Sequence, residues 1–280
     1  MIIIKSIKQM QRFSQAQKLR GKTIGFVPTM GALHEGHLSL IRQARRENNE
    51  VVVSIFVNPT QFGPKEDFKK YPRNLIRDTA LCRREKVDLL FCPDAKEMFS
   101  DNYKTFVSVE DLSGLLCGKS RPGHFRGVAT VVNKLFNIVQ PENAYFGQKD
   151  AQQSVIIRKM VSDLNIPVKI RVMPTIRERD GLALSSRNAY LNQRERKDAQ
   201  VLSQSLKLAD CLIKGGLKDT DRIISRMRQL IQKKDSAKID YIAIVDNETL
   251  EPLKKVVTPC LIALSVWIGK TRFIDTSGGV

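Results

Sequence analysis

The chain has 280 residues, 42% hydrophobic and 27% charged, enough to bury a sizeable core without disulfide or metal staples. No apolar run approaches the ~20 residues that a bilayer span requires, and the N-terminal MIIIKSIKQMQRF lacks the long apolar centre and small-residue cleavage site of a secretion signal. A net charge of +18 invites a nucleic-acid partner, yet Lys and Arg are spread along the chain with no basic tail or aromatic-interleaved stripe; five scattered cysteines, none spaced C-x-x-C, fit reduced thiols in a cytoplasmic protein.

In chain order, KTIGFVPT (22–29) reads as a buried strand. A helix follows His37, with Leu38, Leu40, Ile41 and Ala44 on one face. VVVSIFV (51–57) is a second strand, apolar on both faces as central parallel strands are. The loop NPTQFGPKEDFKKYPR, a helix over 74–86 and a strand at VDLLFCP (87–93) come next. Over 127–140, Val128, Val131, Val132, Leu135, Phe136 and Val139 form a core-facing helical stripe. AYFG is a short strand, 151–165 a helix and VKIRVMPT (168–175) a strand. This alternation predicts an α/β fold: a Rossmann-like domain, residues 1–176, with a parallel sheet under helices. After the polar loop IRERDGLALSSRNAYL, helices near 193–214 and 219–234 and strands at KIDYIAIVD, LIALSVWI and RFIDT predict a smaller α+β lid domain, 177–280.

Chemistry concentrates where strands run into helices. In TMGALHEGH, Gly31 and Gly36 permit a tight turn and close backbone approach, and the helix start that follows favours anions. His34 and His37, two of the three histidines, can there donate to phosphate oxygens and stabilise charge growing in a transition state. The bland alternative is a pair of polar residues on a surface turn. A shared metal is a poorer reading, because the order is H-E-G-H rather than H-E-x-x-H and no third ligand is evident. SIFVNPTQFGP sits at the carboxyl edge of a parallel strand, where open α/β sheets bind ligands. Its Asn58 and Gln61 suit a small hydroxy acid. RPGHFRGVATVV puts Arg121, His124 and Arg126 before the strongest helix, with a packing or positioning role for His124. In AYFGQKDAQQ, Lys149 can reach a phosphate as a point charge, Asp150 can cap the next helix or meet a ribose, and Gln153 lies one turn on. DGLALSSRN offers Ser185, Ser186 and the planar fork of Arg187 to phosphate, on a loop that Gly181 helps to hinge.

His-x-Gly-His resembles the signature of the adenylate-forming nucleotidyltransferase superfamily. The fuller PTMGALHEGHLSLI, with the four segments above in order, resembles the pantoate–β-alanine ligase family over residues 25–275. That resemblance implies ATP and Mg²⁺ as cofactors, pantoate and β-alanine as substrates, a pantoyl-adenylate intermediate, a homodimer, and neither nucleic acid nor membrane as partner. It places ATP on Met30, Gly31, Ala32, Leu33, His34, Glu35, Gly36 and His37; on Gly147, Gln148, Lys149 and Asp150; and on Ile176, Leu184, Ser185, Ser186 and Arg187. Gln148 departs from the family's usual Gly-Glu-Lys-Asp and carries no assigned chemistry. His37, His34 and Lys149 are the implied catalytic groups, Gln61, Gln153 and Asn58 the acid-binding ones, and Asp78, after YPR, a candidate carboxylate near the metal. The alternatives are a cytidylyltransferase-like enzyme acting on a phosphorylated alcohol and a basic nucleic-acid-binding module derived from the synthetase fold.

Overall fold

The computed structural model describes residues 1–64 and 66–278. Its elements are β1 (Ile2–Ile4), α1 (Ile7–Leu19), β2 (Ile24–Thr29), α2 (Glu35–Glu47), β3 (Glu50–Ile55), α3 (Leu75–Arg84), β4 (Leu89–Phe91), α4 (Ala95–Met98), α5 (Cys117–Ser120), α6 (His124–Val139), β5 (Asn143–Gly147), α7 (Ala151–Asp163) and β6 (Lys169–Met173), then α8 (Gln193–Ala199), α9 (Val201–Lys214), α10 (Thr220–Ile231), β7 (Ala237–Asp246), β8 (Cys260–Ile268) and β9 (Thr271–Gly278). The expected elements form with shifted ends, and the helix expected over 193–214 divides at Gln200 into α8 and α9. The sequence reading did not anticipate β1 and α1, or the single turns α4 and α5. A three-residue edge strand has too little pattern to read, and it forms because β4 offers it a partner at Ile2–Leu89, Ile3–Leu90 and Ile4–Phe91.

The first sheet is wholly parallel, in the order β1-β4-β3-β2-β5-β6. Strand order reverses at β2, whose neighbours are β3 on one side and β5 on the other, so the switch point of this doubly wound sheet lies between β2 and β5. Those two strands pair only at Gly25–Asn143 and Phe26–Ala144. Ile24 O accepts from Glu142 N, so the even residues of β2 direct their backbone groups towards β5. Pro28, which has no N–H, therefore falls where the next bond to β5 would form. Beyond it the strands separate, and a crevice opens at their carboxyl ends.

The second sheet, β7-β8-β9, is antiparallel, with a register irregularity between Ile239 and Tyr241. Its two faces serve different cores, as strand alternation dictates. Ile242, Ile244, Ile262 and Leu264 pack with α9 and α10. Val245, Leu261 and Ala263 join the core under the parallel sheet and α6. The C-terminal unit is thus seated on the first one rather than tethered to it.

Candidate active site

The crevice is a cleft of about 1100 Å³ lined from both sheets. One wall is the turn between β2 and α2. Gly31 (φ +83°) and Ala32 (φ +50°) are left-handed, and they aim two backbone N–H groups at one carboxylate on α3. Ala32 N donates to Asp78 Oδ2 at 2.8 Å, and Leu33 N to Oδ1 at 2.9 Å. Asp78 is 1% exposed and does not line the cleft. As a metal carboxylate it is thus corrected by the structure: both its oxygens hold the turn. Leu33 is a core residue, Glu35 is ion-paired with Arg42, and Gly31 and Ala32 shape the turn from behind the cleft surface. Of the expected run 30–37, Met30, His34, Gly36 and His37 line the cleft.

The two imidazoles sit 4.1 Å apart, centroid to centroid. His34 N donates to His37 Nδ1 at 3.4 Å, which leaves the His37 proton on Nε2. A side chain on Gly36 would begin 2.9 Å from the His34 ring, so glycine is required there by the histidine beside it. Burial, then Lys149, lowers His34 to about 4 against the partial opposition of Asp150. Burial, then His34 and Lys149, holds His37 well below the ordinary imidazole value. Both rings are neutral at pH 7. As neutral rings they can act as directed hydrogen-bond donors rather than cations, with Lys149 as the cation beside them.

Lys149 and Asp150 follow β5, the other lip of the switch point, with Nζ 3.9 Å from the Asp150 carboxylate. Asp150 precedes α7 without capping it, which leaves its carboxylate available. A Cβ on Gly147 would meet nothing within 4 Å, because the cleft occupies that space. Gln148 uses its carbonyl oxygen to accept from Thr276 Oγ1 at 2.8 Å and stays off the cleft.

The floor is built by α6 and the Pro59–Gln61 turn. A Cβ on Gly127 would lie 2.3 Å from Thr60 O, so glycine lets the turn rest on the helix. Asn58 lines the cleft too, but it is 1% exposed, accepts from Thr60 N and Oγ1, and donates to Gly127 O at 3.1 Å and Gln61 Oε1 at 3.0 Å. With both amide donors committed, it orients Gln61. The Gln61 amide nitrogen points to Met30 Sδ at 3.2 Å. Gln153 lines the same cleft, and the Val128, Val131, Val132 and Leu135 side of α6 gives an apolar surface below both amides. The contacts of His124 suit a positioning role. Its Nδ1 donates to Gln61 O at 2.8 Å while its Nε2 accepts from Arg121 at 2.9 Å, and burial, then Arg121, lowers it to about 4.

The far wall comes from the C-terminal unit. Ile176, Leu184, Ser185, Ser186 and Arg187 all line the cleft. Ser185 Oγ accepts from Arg187 N at 3.2 Å and caps the short helical turn over Ser186–Tyr190. Asn188 behind it donates to Glu178, which takes a fork from Arg196 at 2.9 and 2.7 Å. The sequence reading missed Asp67, Tyr71, Lys270 and Arg272 as cleft residues; only contacts across 120 residues, as between Asp67 and Arg187, reveal them.

Donors at two strand ends, the Lys149 ammonium between them and a Ser-Ser-Arg turn opposite define an α/β enzyme that binds a phosphorylated nucleotide in its switch-point crevice. The family described as pantoate-beta-alanine ligase matches residues 2–278. The chain is 55% identical over 277 residues to a pantothenate synthetase of Thermotoga neapolitana, covering 99% of both chains. The crystal structure of pantothenate synthetase from Thermus thermophilus superposes with a TM-score of 0.94 at 44% identity over 99% of each chain. A pantoate-beta-alanine ligase from Francisella tularensis, complexed with beta-gamma ATP and beta-alanine, superposes at 0.83 with 38% identity, covering 99% of this chain and 97% of that one. The chain belongs to the pantoate–β-alanine ligase family.

Proposed function

We propose that the cleft joins pantoate to β-alanine in two steps on one ATP. A carboxylate does not acylate an amine at neutral pH, because oxide is a poor leaving group. A pantoate carboxylate oxygen therefore attacks the α-phosphorus, the bond to the bridging oxygen breaks, and pyrophosphate leaves. The β-alanine nitrogen then attacks the acyl carbon of the mixed anhydride, its C–O bond breaks, AMP departs and the amine proton goes to water. No covalent enzyme intermediate is needed; the residues align reactants and stabilise charge.

The geometry supports the following roles. Gln61, fixed by Asn58 and Met30, and Gln153 hold the hydroxyls and carboxylate of pantoate, with its gem-dimethyl group on the valine face of α6. His37 Nε2–H and His34 meet phosphate oxygens, and Lys149 supplies the fixed charge. Ser185, Ser186 and Arg187 receive the β- and γ-phosphates and the leaving pyrophosphate. Among the described residues no three His, Cys, Asp or Glu side chains form a metal cage. Asp150, the half-exposed carboxylate beside Lys149, is the side chain that would meet Mg²⁺ arriving with the nucleotide. Bound, the ion would neutralise part of the triphosphate charge.

The observation that carries the proposal is the neutral His34–His37 pair, with the His37 tautomer fixed, beside Lys149 at the β2/β5 switch point. ATP–pyrophosphate exchange tests it. Exchange should run with pantoate alone; a strict requirement for β-alanine, or exchange driven equally well without pantoate, would overturn the two-step reading.

A further inference from the structure

The loop over 62–71 carries two adjacent acids, each holding an arginine by the same edge. Glu66 takes Arg121 Nε and Nη2 at 2.6 and 2.7 Å. Asp67 takes Arg187 Nε and Nη2 at 3.0 and 2.8 Å. The two arginines then differ. Arg121 also lines the cleft but commits Nη1 as well, to His124 Nε2 at 2.9 Å, so all three of its side-chain nitrogens are bonded within the wall. Arg187 Nη1 has no hydrogen-bond partner among the described residues, and Arg187 lines the cleft. A guanidinium held along its Nε–Nη2 edge keeps its other N–H groups in one plane and one direction, which a free arginine does not. The pair also crosses the cleft: Asp67 belongs to the loop that begins at Gln61, and Arg187 to the C-terminal turn. Tyr190 OH adds a second tie, to Lys70 O at 3.3 Å.

We propose that Asp67 is a positioning residue, which aims the free Nη1 corner of Arg187 at the triphosphate and ties the acid-side loop to the phosphate-side turn. The inference rests on the reading of Arg187 as a phosphate ligand. Asp67 touches no reactant. A carboxylate beside a polyphosphate site would otherwise repel ATP; here its charge is already met by the arginine it orients. Burial alone would raise the Asp67 carboxyl, but the Arg187 fork outweighs it and holds the group below its usual value.

Pantoate-driven ATP–pyrophosphate exchange and equilibrium ATP binding on four full-length proteins test this: wild type, Asp67→Asn, Arg187→Ala and the double variant. Asp67→Asn should weaken ATP roughly tenfold, the scale of one charge-assisted hydrogen bond. KM for pantoate should move less than twofold. In the Arg187→Ala background the same change should add less than twofold, because the group it positions is gone. Asp67→Glu, which keeps the charge, should recover part of the loss. Tighter ATP binding in Asp67→Asn would make Asp67 a competing anion and overturn the proposal. So would losses that multiply in the double variant, an equal rise in the pantoate KM, or a Glu variant as impaired as the Asn one. Wild type separates the two levels: ATP binding without pantoate-driven exchange would count against the substrate reading, and the binding cycle would still decide the role of Asp67.

Discussion

The two walls of the cleft are held by opposite means. The β2–α2 turn is fixed by buried hydrogen bonds: two left-handed residues, Asp78 receiving the amides of residues 32 and 33, and two uncharged imidazoles one of which is bonded to the turn itself. The facing loops, 62–71 and 185–190, are fixed by partly exposed ion pairs: Glu66 with Arg121, Asp67 with Arg187, and Glu178 with Arg196. Buried hydrogen bonds keep their geometry whatever the solvent does, while exposed pairs weaken with salt. On the proposed reading, the wall that would meet developing charge at the α-phosphate is therefore rigid, and the wall that would take the triphosphate is fastened by contacts that phosphate can join.

The largest break in this comparison is His37→Ala. Losing one preorganised donor to the transition state should cost on the order of 10²–10³ in the adenylation rate, measured by exchange at saturating pantoate, with folding retained. A loss below about threefold would reduce the ring to a brace of the turn. Next is Asp78→Ala, which leaves two backbone N–H groups without their acceptor in a site where Asp78 is 1% exposed. At ~1–3 kcal/mol for each of the two unsatisfied groups, urea unfolding should show a loss of about 2–6 kcal/mol. Exchange activity should fall with it, since His34 hangs on the same turn. An unfolding midpoint equal to wild type would mean that the turn holds itself. Asp67→Asn, by contrast, should spare stability and act on ATP.

The difference between the walls also explains what could be read from the chain. The parallel domain was legible because β2, β3 and α6 carry unbroken apolar patterns, and its site was legible because histidine, lysine and glycine fall at strand-to-helix junctions. What could not be read was direction. Asn58 and Gln61 stand three apart and look alike in sequence, but a carbonyl on Gly127, 69 residues away, takes the Asn58 amide and leaves Gln61 to the cleft. Asp78 looked like an available carboxylate until the amides of residues 32 and 33 claimed it. Asp67 looked like one more charge on a polar loop. Each of these roles depends on a partner 45 or more residues distant, and spacing in one sequence carries no trace of such a partner.

The smallest expected effect near neutral pH separates the walls by proton count. All three histidines have folded values below the ordinary 6.5, His34 and His124 at about 4 and His37 well below, chiefly through burial. Glu66 and Asp67 lie below their ordinary carboxylate values. A lowered histidine favours the folded state fully above 6.5, and that contribution declines as pH falls towards the folded value, because only the unfolded chain takes up the proton. A lowered carboxylate likewise supports the fold above its unfolded value, but its contribution declines only from about pH 4 downwards. Between about pH 7.5 and 8.5 neither wall should make stability depend on pH. At pH ~5.5 unfolding should take up nearly three protons on imidazole, read from the pH-dependence of the urea midpoint or by pH-stat. His34→Gln should lower that number by about one, and Asp67→Asn should leave it unchanged. Uptake near zero in the wild-type chain would mean that the imidazoles are already charged in the folded cleft, and the neutral donor wall would have to be replaced by a cationic one.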